Sequence, residues 1–268
     1  MQSGNYLLEM RDIHKSFGAV RAVQYVDLVL QRGEILGLLG DNAAGKSTLM
    51  KILTAFHTPD RGKIYMDGQE VHIATPGDAR RLGIEMIYQD FSLAPNLSIA
   101  DNIFLGRELS KTFLGMHFID RKRMEEKAKE AMSVTNIRLD SVKTIVTDLS
   151  GGQRQAVAIA RATAFDAKII IMDEPTASLS VKTIPPLLDL MVQLRDRGLS
   201  MVFITHRIQD VFSTCDRVMV LRRGKCAGVA YTRDTTVDEV TSLIAGTQRT
   251  FEKNAAHFNP AGLEDYDA

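Results

Sequence analysis

Gly40, Gly45, Lys46 and Ser47 complete the spacing G-x-x-x-x-G-K-[ST] within Leu39–Thr48. A loop of this kind needs a strand before it and a helix after it. Ile35–Leu39 is apolar and bounded by glycines, which reads as a buried strand. Beyond Lys46, Leu49, Ile52 and Leu53 recur at helical spacing. Backbone N–H groups of the loop and the positive end of the helix dipole together capture an anion. The cradle is Gly40, Asn42, Ala43, Ala44, Gly45, Lys46, Ser47 and Thr48. Lys46 is placed to reach β- and γ-phosphates, and the Ser47 hydroxyl to ligate Mg²⁺. The bland alternative, a glycine turn without a ligand, does not account for the strand and helix on either side. Ala43 stands where such loops often carry glycine. A positive φ would strain it, so a negative φ is expected there.

The chain of 268 residues is long enough for one large domain or two modest ones. Its formal net charge is zero, so no bulk electrostatic attraction to nucleic acid or anionic lipid is expected. Cys215 and Cys226 are the only cysteines, and a reduced cytoplasmic setting is the simpler reading. Met1–Glu9 lacks the basic and apolar regions of a signal peptide. No apolar run approaches the ~20 residues that span a bilayer. A membrane role would run through a partner.

Leu7–Phe17 and Val23–Leu30 read as strands, with Phe17-Gly18 in the connection between them. Lys63–Met66 and Val71–Ile73 flank Asp67-Gly68, a hairpin signal. Pro76 opens a short helix to Leu82, and Ile84–Tyr88 is a strand. From Ser98 to Ala164 the pattern is mainly helical. Ser98 with Asp101 resembles a capping box, and Asp120 precedes a charged helix with Met124, Ala128 and Ala131 on one face. Strand and helix then alternate again. Lys168–Met172 and Met201–Thr205 are strands, and Pro185-Pro186 sits in a first helical turn. Val218–Leu221 and Cys226–Ala230 form a hairpin around Arg223-Gly224, and Val237–Ala245 is a last helix. Residues 247–268 are expected to be a loosely held tail.

Two further stretches carry chemistry. Ile169–Glu174 is an apolar strand ending in Asp173 and Glu174. In a parallel sheet, ligand groups gather at the carboxyl ends of strands. Beside a phosphate loop, Asp173 is placed to hold Mg²⁺ and Glu174 to polarise the attacking water. Alone, the pair reads equally as a cap. Leu149–Gln153 sets a serine N-cap and two glycines at a helix start, which is either a second anion site or a plain capped helix.

These stretches occur in an order that resembles the nucleotide-binding ATPase subunit of ABC transporters, over about Leu7–Gly246. Gly40–Thr48 matches its Walker A loop, Gln89 its Q-loop, and Ser150, Gly151, Gly152 and Gln153 with Leu149 its signature. Ile169–Glu174 matches Walker B and the catalytic glutamate, and His206 the switch histidine. Phe17 falls where the family stacks an aromatic on adenine. The resemblance implies an α/β fold: a P-loop NTPase core with a mainly parallel sheet, an N-terminal antiparallel β subdomain and an inserted α-helical subdomain. The ATPase domain would span residues 5–246, with the helical insert at about 90–164 and the tail after it. It further implies ATP and Mg²⁺ as ligands, with Ser47, Gln89 and Asp173 at the metal. Glu174 would be general base, assisted by His206, Lys46 and Gln89. A second copy would pair head to tail and supply Ser150 and Gly152 to the γ-phosphate. One departure stands out: Ser180 replaces the aspartate common after Ala177-Ser178-Leu179, which bears on coupling across the dimer.

Leu93–Glu108, Asp41–Ala44 and Pro175–Ser178 resemble the branch of monosaccharide importers of the ribose, xylose and fructose type. That implies an ATP-hydrolysing motor on the cytoplasmic face of a bacterial inner membrane. It would act on separate permease subunits, and indirectly with an extracytoplasmic sugar-binding protein, with no nucleic acid partner. The alternatives are an importer ATPase for an amino acid or lipid, and a soluble, non-transport ABC ATPase. The latter usually carries tandem cassettes, a coiled-coil insertion or a basic extension, none of which is seen in this sequence.

Overall fold

Three apolar layers organise the chain, seen in a computed structural model that describes residues 6–113, 116–135, 137, 139–177, 179–247 and 251–253. The first layer lies under an antiparallel sheet. Strands β1 (Tyr6–Phe17) and β2 (Val20–Gln31) form a long hairpin. Strand β3 (Ile35–Leu39), buried at every residue, leads into helix α1 (Lys46–Leu53). Strands β4 (Arg61–Met66) and β5 (Gln69–Val71) extend the antiparallel sheet to the order β2-β1-β4-β5. The expected second strand of this hairpin, Val71–Ile73, is set two residues early. Asp67 and Gly68 have φ of 52° and 76°, the two-residue turn that starts pairing at once with Met66 opposite Gln69. After Val71 the chain turns to the Thr75 cap of α2 (Pro76–Arg81).

The second layer is the parallel sheet. Strand β6 (Ile84–Ile87) precedes helix α3 (Ile99–Phe104), strands β7 (Ser110–Phe113) and β8 (Met116–Ile119), and helices α4 (Arg121–Ser133) and α5 (Gly151–Thr163). Then come β9 (Ile169–Asp173), α6 (Ile184–Asp196), β10 (Ser200–Ile204) and α7 (Ile208–Thr214). Strands β11 (Arg217–Arg222) and β12 (Lys225–Tyr231), helix α8 (Val237–Ala245) and strand β13 (Phe251–Lys253) complete the described chain. The sheet runs β6-β9-β10-β3-β11-β12-β13. Its first five strands are parallel, and their near-continuous Ile, Val and Leu runs match burial on both faces. Strand β13 pairs with β12 inside the stretch expected to be a loose tail, whose residues 248–250 and 254–268 lie outside those described.

The third layer is helical. Ile103, Phe104, Met124, Ala128, Val157 and Ala160 pack together from α3, α4 and α5. Helix α5 has two apolar faces, since its Ala158, Ile159 and Ala162 join the core under the parallel sheet. It therefore ties the helical insert to the sheet. The mainly helical pattern expected here is interrupted by the β7–β8 hairpin. Its strands are four residues each and β8 is exposed throughout, so no buried face imposes an alternation. Ser98 caps α3 by accepting from Asp101 N, but Asp101 accepts from the Ser98 hydroxyl and not the backbone, so the box is half formed. Ser150 and Gln153 form the complete box at α5.

Candidate functional site

The site is built at the carboxyl edge of the parallel sheet. Register aligns Leu38 on β3 with Ile204 on β10, and Ile204 with Asp173 on β9. The residues that follow these strands, Gly40, Glu174 and His206, thus leave the sheet side by side. Ile87 on β6 pairs with Met172, which carries Gln89 to the level of Glu174. Gln89 is exposed there.

The phosphate loop is wedged between two backbones. A Cβ on Gly40 would lie 2.1 Å from the Leu221 carbonyl oxygen, and one on Gly45 2.5 Å from that of Ala22. Both glycines have positive φ, 147° and 102°. The β11–β12 turn closes on the loop, Gly224 N donating to Ala44 O at 3.1 Å and Gln24 N to Gly224 O at 2.7 Å. Local patterning marks Arg223-Gly224 only as a hairpin turn. Its contact with the loop is a tertiary fact with no local signal.

Ala43 corrects an expectation: its φ is +64°, not negative. The Ala44 N–H turns back to Asp41 O at 3.1 Å, and Ala44 is buried beneath the loop while Ala43 is exposed. Closing that turn puts residue 43 in the left-handed region, which an L-residue with a Cβ enters only at a cost. The αL penalty is about 1–2 kcal/mol for an L-residue, and glycine gives back about 0.4–1 kcal/mol through its unfolded-state entropy. Ala43→Gly should therefore raise stability by roughly 0.5–1 kcal/mol, read as a shifted urea midpoint. A lower midpoint would refute strain at this position.

Lys46 folds back on its own loop, Nζ donating to Gly40 O at 2.7 Å and Asp41 O at 3.0 Å. Burial pushes its ammonium below the usual lysine range, while the Glu174, Asp173 and Asp41 carboxylates pull it back. Burial raises the Asp173 carboxyl and the neighbouring Glu174 charge raises it further; Lys46, Lys51 and a hydrogen bond with Ser47 oppose this. Lysine and two acids thus form one electrostatic unit at the mouth of the loop. The Glu174 carboxylate meets His206, Oε2 to Nδ1 2.9 Å, with the histidine largely exposed. Glu174 itself has φ +50°, a strained backbone held by its N–H to Ile204 O at 2.9 Å.

Phe17, whose residue type favours the core, is 43% exposed at the end of β1. Ser150, Gly151, Gly152 and Gln153 form the first turn of α5, with Ser150 exposed. Among the described residues no hydrogen bond or ion pair joins Ser150–Gln153 to Gly40–Thr48 within the one chain. Farther along α5, Arg161 donates to Phe91 O at 2.8 Å and Ser92 O at 2.7 Å, tying the segment after Gln89 to that helix. Ser180 bonds locally to Thr183, and Ser178 lies outside the described residues.

Metal fit follows from the donor set. Among the described residues no group of three or more His, Cys, Asp or Glu is placed to hold an ion. Mg²⁺ bound through nucleotide phosphates needs only one or two protein oxygens. Ser47 Oγ and Asp173, close enough for the serine to stabilise the carboxylate, are such oxygens.

The ABC transporter family model matches residues 23–177. A xylose/arabinose import ATP-binding protein of Sulfolobus acidocaldarius is 47% identical over 238 residues, covering 89% of this chain and 93% of the relative. A ribose import ATP-binding protein of Caldanaerobacter subterraneus is 40% identical over 242 residues, 90% of this chain but 48% of the relative. Among solved structures, a dimeric ATP-binding cassette in a post-hydrolysis state with ADP and Pi superposes with TM-score 0.71. It is 26% identical and covers 85% of this chain and 100% of that one.

Proposed function

This chain belongs to the ABC transporter ATP-binding family, and from that premise we propose that it is the ATP-hydrolysing motor of a monosaccharide importer. The observation that carries the ATPase part is the cluster of Gly40, Lys46, Ser47, Asp173, Glu174 and His206 at one sheet edge. The sugar part rests on relatives that are themselves named as sugar import proteins. Among the described residues no helix is long and apolar enough to cross a membrane. By analogy with those import proteins, the motor would work at the cytoplasmic face against separate permease subunits, fed by an extracytoplasmic sugar-binding protein.

The chain's own residues support a stepwise mechanism. ATP phosphates take over Lys46 from the Gly40 and Asp41 carbonyls, so the ammonium is already placed when nucleotide arrives. Loop N–H groups and the α1 dipole receive the remaining phosphate charge. Ser47 and Asp173 would hold Mg²⁺, with Gln89 reaching the same edge. When bound, that ion would neutralise charge on the β- and γ-phosphates. Glu174 accepts a proton from the attacking water, and His206 orients the carboxylate through its 2.9 Å contact. Among the described residues Ser150 and Gly152 make no hydrogen bond to their own loop, and a second copy docked head to tail would bring them to the γ-phosphate. Closure of the dimer on ATP would then be transmitted through α5, which packs on both the insert and the sheet.

The test is nucleotide binding and transport together. Lys46→Ala removes charge-assisted hydrogen bonds worth about 1.5–3 kcal/mol, so ATP affinity should fall roughly 10- to 100-fold by calorimetry. Unchanged affinity would remove the phosphate role. Copurification with a permease, followed by a screen for the solute that stimulates ATPase, separates sugar from amino acid or lipid import.

A further inference from the structure

The segment after the phosphate-loop helix grips the end of the strand that carries Phe17. Phe56 N and His57 N both close onto Lys51 O, at 2.8 and 3.1 Å, so His57 is anchored to the last turn of α1. Its ring meets the Phe17 ring edge-on, with centroids 5.0 Å apart and planes at 68°. Three residues on, Asp60 binds β1 three times. Its N–H donates to His14 O at 2.8 Å, its Oδ1 accepts from Lys15 Nζ at 2.8 Å, and its Oδ2 accepts from Ser16 N at 2.6 Å. The Lys15 ammonium, so held, sits 5.6 Å from the centre of the Phe17 ring.

The same strand pair reaches the phosphate loop. Phe17 pairs with Val20 on β2, and Gly45 lies against Ala22 two residues along. Two strand residues span ~7 Å, so the exposed ring stands within a nucleotide's length of the cradle. Helix α1 thus serves both ends of a bound nucleotide. Its first turn faces the phosphates, and the residues after its last turn hold the exposed Phe17 side chain. Lys15 and His57 both contact the ring, and the 43% exposure of Phe17 leaves area for a flat ligand.

We propose that Asp60 and His57 are positioning residues for base recognition: they fix Phe17 as the stacking platform for the purine of a bound nucleoside triphosphate. This rests on the reading of Gly40–Thr48 as the ATP site. Neither residue touches the nucleotide. The Lys15 ammonium and the Ser16 N–H hold the Asp60 carboxyl below the usual carboxylate range, so the clamp is charged at neutral pH.

The test compares ATP with inorganic tripolyphosphate, which has the phosphates and no base, by calorimetry on the full chain with Mg²⁺. Base stacking on an aromatic is worth about 1–3 kcal/mol, roughly 5- to 150-fold in affinity. Loosening the platform should forfeit part of that. Asp60→Ala and His57→Ala should each weaken ATP binding about 3- to 10-fold and leave tripolyphosphate binding within about twofold of the unaltered chain. In a Phe17→Ala background, Asp60→Ala should have no further effect on ATP. Tripolyphosphate binding also reports that the loop of each variant is folded. Equal losses for both ligands, unchanged ATP affinity, or full additivity with Phe17→Ala would each overturn the proposal. Failure of the unaltered chain to bind either ligand would overturn the ATP-site reading itself, a distinguishable result.

Discussion

Glu174→Gln is expected to lower kcat for ATP hydrolysis by about 10²- to 10⁴-fold while ATP still binds, the range a positioned general base supplies. Glutamine keeps the size of the side chain and an oxygen for the His206 contact, now 2.9 Å from Glu174 Oε2. What it loses is the ability to take a proton from water. The backbone at this position is strained, with φ +50°, and the N–H to Ile204 O holds it in glutamate and glutamine alike. Removing one negative charge beside Asp173 also relieves the repulsion that raises the Asp173 carboxyl. ATP affinity should therefore be unchanged or higher, and an ATP-bound dimer should accumulate. Single-turnover hydrolysis and size-exclusion chromatography with ATP check both halves. Steady turnover near the unaltered rate would remove Glu174 from the role of base. His206→Ala should have a smaller effect, because it removes an orienting contact and leaves the base.

Much of this site is legible residue by residue, because phosphate capture and water activation demand fixed residue types at fixed places. Gly40, Lys46, Ser47 and Glu174 are of this kind. The left-handed turn at Ala43 is not, since alanine disfavours positive φ and only closure of the loop on Asp41 imposes it. The β7–β8 hairpin is hidden for a different reason: with β8 exposed along its length, no alternation records its pairing. Contacts such as Gly224 on Ala44, Arg161 on Phe91, and Asp60 on Ser16 join residues far apart in the chain. Their residue types are ordinary for turns and helix ends, so nothing local distinguishes them. The parallel sheet was legible in its apolar runs, but the order β6-β9-β10-β3-β11 is a property of the crossovers. That order is what brings Glu174 and His206 to the phosphate loop.

Arg217→Ala should destabilise the fold by about 3–5 kcal/mol near pH 8, the cost of leaving a buried charge without its partner. Arg217 and Glu34 are both 4% exposed, with Nη1 to Oε1 at 3.1 Å. The pair lies where β11 of the parallel sheet meets β2 of the antiparallel one. Arg217 also approaches Val29 O at 3.4 Å, and Glu34 Oε2 accepts from Gln31 N at 2.6 Å. Burial raises the Glu34 carboxyl above its ordinary value even with Arg217 beside it, and Arg217 is the largest opposing influence. Without the guanidinium, Glu34 should rise further. A carboxyl raised in the folded state binds more protons there than in the unfolded chain, so stability falls as pH rises through that range and recovers as pH drops. The variant should therefore lose most at pH 8 and less at pH 5, because any proton the raised Glu34 carboxyl takes up on acidification favours the folded state. Urea midpoints at the two pH values measure this, and a deficit that does not narrow in acid would mean that lost packing, not a stranded carboxylate, is the cause. Arg217→Met with Glu34→Leu removes both charges and should recover much of the loss, because a buried pair repays little beyond its own desolvation. If the double variant keeps its ATP affinity, the ion pair orients the two sheets without contributing to nucleotide binding.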